Sequence, residues 1–183
     1  LRTITHGPED RGFPASARKL LKNRQAMCGS FREGLEVHEA WMATKAAAEA
    51  LGARIVVFES PASFQPGSDR LRDMYKFFKQ ASRGKLTFVW HPRGGEWSSL
   101  GDKVCAELGL IRAFDPLRQP PPRKGAFLYM RPSLARMGGL SVANMATIAA
   151  ASADVPAYVA LSHRASFRDA ERLKDLLGSR RTR

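Results

Sequence analysis

One pattern recurs along the chain: an amphipathic helical stretch ends at a glycine, and a short apolar run follows. Apolar residues at helical spacing predict a helix from 35 to 51 that stops at Gly52. The run "RIVVFES" (54–60) is then typical of a buried strand. The same pattern predicts a helix from Ser68 or Asp69 to Gly84, the strand "LTFVW" (86–90), a helix from Ser98 or Ser99 to Gly109 and the strand "LIRAFDP" (110–116).

The second half of the chain continues the pattern after a proline-rich loop. Predicted there are the strand "AFLYMR" (126–131), a helix capped by Ser141, the strand "AYVALSH" (157–163) and a helix from Ser166 closed by Gly178. If "LRTIT" at the start is the end of a strand, six strands alternate with helices. This alternation predicts the α/β class with a parallel sheet, either open and doubly wound or an incomplete barrel. No GxGxxG or GxxxxGK[ST] motif follows a strand, which disfavours a nucleotide-binding open sheet.

Length and composition are those of a soluble globular protein. The 183 residues, 44% hydrophobic and 26% charged, predict one domain over 1–178 followed by a basic tail, 179–183. Cys28 and Cys105 lack metal-binding spacing and favour a reducing, cytoplasmic location. No apolar run is long enough to span a membrane.

The net charge of +13 changes the range of expected partners. With 30 Lys and Arg against 17 Asp and Glu, an anionic partner such as nucleic acid becomes an expectation. The basic residues are spread along the chain and do not alternate with aromatic residues. A solvated basic surface is therefore the alternative.

Several motifs resemble one known family. In order, the chain contains "ITHGP", "FREGLEVHEAW", "VVFESPASFQP", "VWHPRGGEW", "ELGLIRAFDP" and "AFLYMR". Together they resemble the YecE-like family (domain of unknown function 72) from about residue 3 to residue 177. The resemblance implies a (β/α)₈ TIM-barrel-like fold with about six of the eight strands present in this chain, since members of the family carry further strand–helix units ahead of the "ITH" segment. It also implies a relation to sugar isomerases.

In a (β/α)₈ barrel the carboxyl ends of the strands carry the active site. The residues expected there are His6, His91, Arg93 and Asp115 as catalytic groups, with Glu59, Arg131, Trp97 and His163 as ligand-binding groups. Two chemistries could use this set. Histidines and carboxylates could hold a divalent metal ion, or the arginines could bind an anion while a histidine transfers a proton.

Each candidate also has a structural interpretation. Trp97 could pack over the barrel rim, Asp115 could stabilise a turn through an Asx-type hydrogen bond, and Arg93 could pair with Glu96 or Asp115. The family usually has a carboxylate at the position of His91 and an amide at that of Glu59, so this site has changed its chemistry or lost it. The leading hypothesis is a protein that binds a small anionic or sugar-like ligand, with isomerase-related or hydrolase activity. The alternatives are a non-catalytic nucleic-acid-binding protein and an inactive truncated paralogue.

Overall fold

The structure, a computed structural model, describes residues 1–7, 27–94, 97, 100–122, 125–134 and 138–180. The chain forms two compact units, Leu1–Ile111 and Arg112–Arg183. Each unit has its own hydrophobic core and combines parallel strands with helices. The fold therefore belongs to the α/β class, as the alternation of helical and apolar stretches predicted.

The first unit pairs two strands in parallel. Its elements are α1 (Arg2–Thr5), α2 (Leu35–Ala50), β1 (Ile55–Ser60), α3 (Ser68–Gln80), β2 (Thr87–Pro92) and α4 (Leu100–Leu108). The register runs from Ile55 opposite Thr87 to Ser60 opposite Pro92. Since the strands are parallel and in register, they end side by side at one edge.

An aromatic core covers one face of this strand pair. Phe58 and Phe88 contact Trp41 of α2, with ring centroids 5.9 Å and 5.2 Å apart, and Phe58 also contacts Phe78 of α3. Along β1, buried residues alternate with half-buried ones. This alternation places Glu59 on the less covered face, because successive side chains of a strand point to opposite sides.

In its described residues, the second unit contains three parallel strands and two helices. These are β3 (Ile111–Phe114, whose first residue lies in the first unit), β4 (Leu128–Met130), α5 (Val142–Ala151), β5 (Ala157–Val159) and α6 (Ser166–Arg180). β4 pairs with both β3 and β5. The predicted cap of α5 is confirmed, since Ser141 Oγ accepts a hydrogen bond from Asn144 N at 3.1 Å.

One predicted strand and the end of one predicted helix are wrong. The segment "LRTIT" forms the short helix α1 instead of a strand end, and its Thr3 and Ile4 carbonyls accept hydrogen bonds from Gly29 N and Phe31 N. The described residues therefore form five strands, β1 to β5, and not the six that the sequence predicted. Gly178 does not end the last helix, which continues to Arg180. A glycine within a helix costs only about 1 kcal/mol, which neighbouring turns can offset.

Other boundaries differ by a few residues. Helix α3 ends at Gln80, where Ala81 turns extended, and Gly84, at φ +56°, turns the chain toward β2. The proposed caps Ser98 and Ser99 lie outside the described residues, as do residues 181–183 of the expected basic tail.

The eight-stranded barrel stays a prediction. Among the helices of the described ranges, none is long and apolar enough to span a membrane.

Candidate functional site

Three predicted site residues of the first unit come together where β1 and β2 end. Glu59 lies opposite His91 in the strand register, and its Oε2 is 3.9 Å from His91 Nδ1. Its other oxygen, Oε1, is 3.3 Å from Arg93 Nη1. The side chains of Glu59 and His91 are 31% and 18% exposed. A carboxylate, an imidazole and a guanidinium therefore converge at a solvent-accessible edge.

The backbone beneath this cluster is firmly held. Arg93 N donates to Ser60 O at 3.0 Å, which continues the parallel ladder beyond the end of β2. The buried Ser60 hydroxyl accepts a hydrogen bond from Trp90 Nε1 at 2.8 Å. With Trp90 anchored in the core, strand alternation turns His91 to the opposite side. The cluster thus rests on rigid strands, which position functional side chains more accurately than loops do.

This arrangement supports proton transfer beside an anion-binding group. Imidazole is the side chain that exchanges protons most readily near neutral pH, and a neighbouring carboxylate orients it. Arg93 is 61% exposed, so its guanidinium can contact a ligand that approaches from solvent. Guanidinium groups bind carboxylates and phosphates through paired hydrogen bonds.

The other two candidates of the first unit have mainly structural contacts. His6 follows helix α1, not a strand, and its Nδ1 lies 2.8 Å from Thr5 Oγ1. Trp97 is buried, stacks on Phe64 with ring centroids 5.5 Å apart, and donates its indole N–H to Phe64 O at 2.7 Å. These contacts favour the packing interpretation of Trp97.

In the second unit, Asp115 stabilises a turn after β3. Its Oδ1 accepts from Leu117 N at 2.9 Å and its Oδ2 from Ser133 N at 3.1 Å. The side chain of Arg118 lies 3.5 Å from Oδ2. The first contact has the two-residue spacing of an Asx turn, which favours the structural alternative for this carboxylate. Arg131 follows β4, and its backbone N–H donates to Phe114 O at 2.8 Å.

His163 belongs to a buried ion-pair network centred on Asp169. The Asp169 side chain is completely buried, and its Oδ2 lies 2.9 Å from His163 Nε2. Leu140 N donates to the same oxygen at 2.6 Å, and Arg172 Nη1 lies 3.1 Å from Oδ1. The backbone hydrogen bond from Leu140, together with His163 and Arg172, holds the pKa of Asp169 below its usual value although burial opposes this.

The pKa of Asp169 leads to a testable pH dependence. Because that pKa is lower in the folded than in the unfolded chain, the stabilisation is present above the ordinary carboxyl pKa and is lost as pH falls through the folded value. We expect the free energy of unfolding to decline between about pH 5 and pH 2, and to decline less in Asp169→Asn. Urea denaturation across this range measures both slopes. Identical slopes would contradict the assignment.

A pocket of about 340 Å³ lies elsewhere in the first unit and was not anticipated from the sequence. Its lining includes Phe31, His38, Trp41, Lys76 and Phe77. The Trp41 indole N–H is buried and has no hydrogen-bond partner among the residues that the structure describes. Helices and the loop before α2 form this pocket, so it is separate from the cluster of titratable groups at the strand ends.

The described part of the chain contains no group of three or more His, Cys, Asp or Glu side chains that could hold a metal ion. The expected divalent metal stays a prediction from the sequence. The strand ends of the first unit provide one carboxylate, one imidazole and one guanidinium, from Glu59, His91 and Arg93.

Comparison with solved structures identifies a protein of similar fold. The chain is similar to the crystal structure of a DUF72 family protein from Enterococcus faecalis, with a TM-score of 0.64 and 11% sequence identity over 89% of this chain and 70% of that chain. The sequence matches no family model and no curated protein. The likeness shows a shared α/β fold, and at that level it confirms the resemblance found in the motifs.

Proposed function

We propose that the chain binds a small anionic or sugar-like ligand where β1 and β2 end, and that Glu59 and His91 exchange protons with it. The observation that carries the proposal is the convergence of both side chains with Arg93 on adjacent strand ends. Arg93 contacts the anionic group of the ligand. Glu59 and His91, which are half-buried, act on the carbon and oxygen atoms of the ligand that lie next to this anionic group.

The reaction that suits this pair is proton transfer next to a carbonyl group, as in sugar isomerisation. The Glu59 carboxylate accepts the proton of the carbon adjacent to the carbonyl, and the electrons of that C–H bond form a carbon–carbon double bond. His91 donates a proton to the carbonyl oxygen, which yields an enediol. Glu59 then returns its proton to the former carbonyl carbon, while His91 takes up the proton of the other hydroxyl as the new carbonyl forms, which completes the isomerisation and restores both side chains.

The sequence motifs and the fold support this proposal independently. The motifs resemble a family related to sugar isomerases, and the shared fold is compatible with a barrel-like α/β arrangement. In barrels of this kind the strand ends carry the chemistry. The proposal accordingly includes the barrel architecture and a cytoplasmic location, which the reducing state expected for the cysteines favours.

Deuterium exchange tests the chemistry directly. We expect the protein to incorporate solvent deuterium into an aldose, a ketose or one of their phosphates in D₂O, measured by NMR of the sugar. Glu59→Gln should slow the exchange by about 10²–10⁴-fold, since it removes the base. Glu49→Gln, a carboxylate in an exposed ion pair on α2, serves as the control and should leave the rate unchanged. Exchange that persists in Glu59→Gln would overturn the assigned role.

Phosphate binding tests the role of Arg93 separately. We expect inorganic phosphate to shift the backbone amide resonances of His91 and Arg93, and Arg93→Ala to weaken binding by roughly 10–100-fold because a charge-assisted contact is lost. The control is Arg72→Ala. Arg72 is an exposed arginine of α3 that, like Arg93, is paired with carboxylates, in its case those of Asp69 and Asp73. If both variants bind phosphate equally, the contact is with general positive charge and not with Arg93.

A further inference from the structure

The pocket of about 340 Å³ in the first unit, which we call the helical pocket, lies on the helix-covered face of β1 and β2. Its lining includes three aromatic rings whose centroids are 5.7 to 6.3 Å from that of Phe58 in β1, namely Phe31, Trp41 and Phe77. The next residue of the strand, Glu59, points to the opposite side. The strands therefore separate the helical pocket from the proposed proton-transfer site.

This position is compatible with the barrel that the proposed function includes. In such a barrel the helices form an outer ring around the strands. Both α2 and α3 pack on the face of Phe58, as their contacts through Trp41 and Phe78 show. The helical pocket would thus lie in the outer ring, where further strands at the sheet edges do not fill it.

The helical pocket combines an apolar wall with charged side chains at its exposed side. Val37 and Ala81 are buried and line it beside the aromatic rings. Lys76 Nζ donates to Glu33 Oε2 at 2.7 Å, and these two side chains are 47% and 58% exposed. Arg32 also belongs to the described lining, so two cationic groups accompany one carboxylate. Apolar cavities of this volume with a few polar groups are the usual form of a small-molecule site.

One wall of the helical pocket is held in an unfavourable conformation. Ser30 and Phe31 have φ values of +53° and +58°, a region that residues other than glycine rarely adopt. Both are buried, so the surrounding packing maintains this conformation. The Trp41 indole N–H is also buried, without a hydrogen-bond partner in the described part of the chain. Departures of this kind from local preference concentrate where a protein holds a ligand.

We propose that the helical pocket binds a small aromatic carboxylate, with its ring against Phe31 and Phe77 and its carboxylate at Lys76. An ammonium group has three N–H donors, and the bond to Glu33 occupies one of them, so Lys76 can bind a second carboxylate. An exposed ion pair is also weak, so the ligand can displace Glu33 at low cost. The excess of positive charge favours an anion over a cationic or neutral aromatic compound.

An NMR titration with 3-phenylpropionate tests the proposal. We expect it to shift the backbone amide resonances of Phe31, Val37 and Phe77 and the indole N–H of Trp41, with a Kd of about 0.1–1 mM, as the size of the ligand allows. The uncharged 3-phenylpropanamide should bind roughly 3–10-fold more weakly, because the contact with the half-exposed ammonium group is lost. Propionate, which lacks the ring, should not bind below about 10 mM, since burial of the ring provides most of the affinity.

A lysine variant and a matched control locate the charge. Lys76→Gln should lower the affinity for 3-phenylpropionate by roughly 3–10-fold and leave that for the amide unchanged. Lys79→Gln removes an exposed lysine of the same helix outside the described lining and should bind like wild type. Unmoved pocket resonances, equal affinity for acid and amide, or wild-type affinity of Lys76→Gln would each overturn the proposal. Shifts confined to His91 and Arg93 would do so too, whereas the exchange rate of Glu59→Gln has no bearing on it.

Discussion

Replacing Asp169 by alanine is expected to lower the free energy of unfolding by about 3–5 kcal/mol, the usual cost of removing one partner of a buried ion pair. The change leaves Leu140 N without its buried acceptor and separates His163 and Arg172 from their shared carboxylate. For a chain of this length, the loss corresponds to a decrease of about 6–20 °C in Tm.

Thermal and urea unfolding of Asp169→Ala measure this loss, with Asp175→Ala as the matched control. Asp175 lies on the same helix but is exposed, so its removal should change the free energy of unfolding by about 0.5 kcal/mol or less. Asp169→Asn should fall between the two variants, because an amide oxygen can still accept from Leu140 N. If Asp169→Ala unfolds like the control, His163 is not held by this network and becomes available for another role.

The substitution Gly29→Ala should have an effect of similar size for a steric reason. Gly29 has φ +81°, a conformation that costs other residues about 1–2 kcal/mol. A Cβ at this position would lie 1.8 Å from the carbonyl oxygen of His6, so the two backbone segments would have to separate. The hydrogen bond from Gly29 N to Thr3 O, 2.7 Å long, would then be lost. We expect destabilisation of about 3–5 kcal/mol.

Gly52→Ala separates the two contributions to this prediction. Gly52 also has a positive φ, +63°, but a Cβ added to it would have no neighbouring atom within 4 Å. Its substitution should therefore cost only the backbone term, about 1–2 kcal/mol. Urea midpoints of both variants measure the difference. If Gly29→Ala is no more destabilising than Gly52→Ala, the close approach of residue 29 to His6 is contradicted.

The local sequence was sufficient to predict most elements of the fold. The apolar run of β1, the helical spacing of α2 and the cap at Ser141 depend on residues only a few positions apart, so their pattern can be read along the chain. The same is true of Arg93, which was expected at a strand end and lies there. "LRTIT" was predicted wrongly because its conformation depends on hydrogen bonds from Gly29 and Phe31, which are distant in the chain.

The candidate site could be predicted only in part. Strand ends identified Glu59, His91 and Arg93 as candidates, but their pairing depends on the register between β1 and β2, which no local pattern specifies. The role of Asp169 was not predicted, because it depends on Leu140 and His163 reaching this side chain from other segments.

The sequence by itself therefore determined the α/β class, the order of helices and strands from α2 onward, and most of the polar residues placed at strand ends. These follow from periodicity and from turn chemistry between near neighbours. The tertiary structure decided which of those residues meet and which are buried in structural networks. These outcomes depend on strand register and on the burial of groups distant in sequence, because a contact forms only when separate segments pack together.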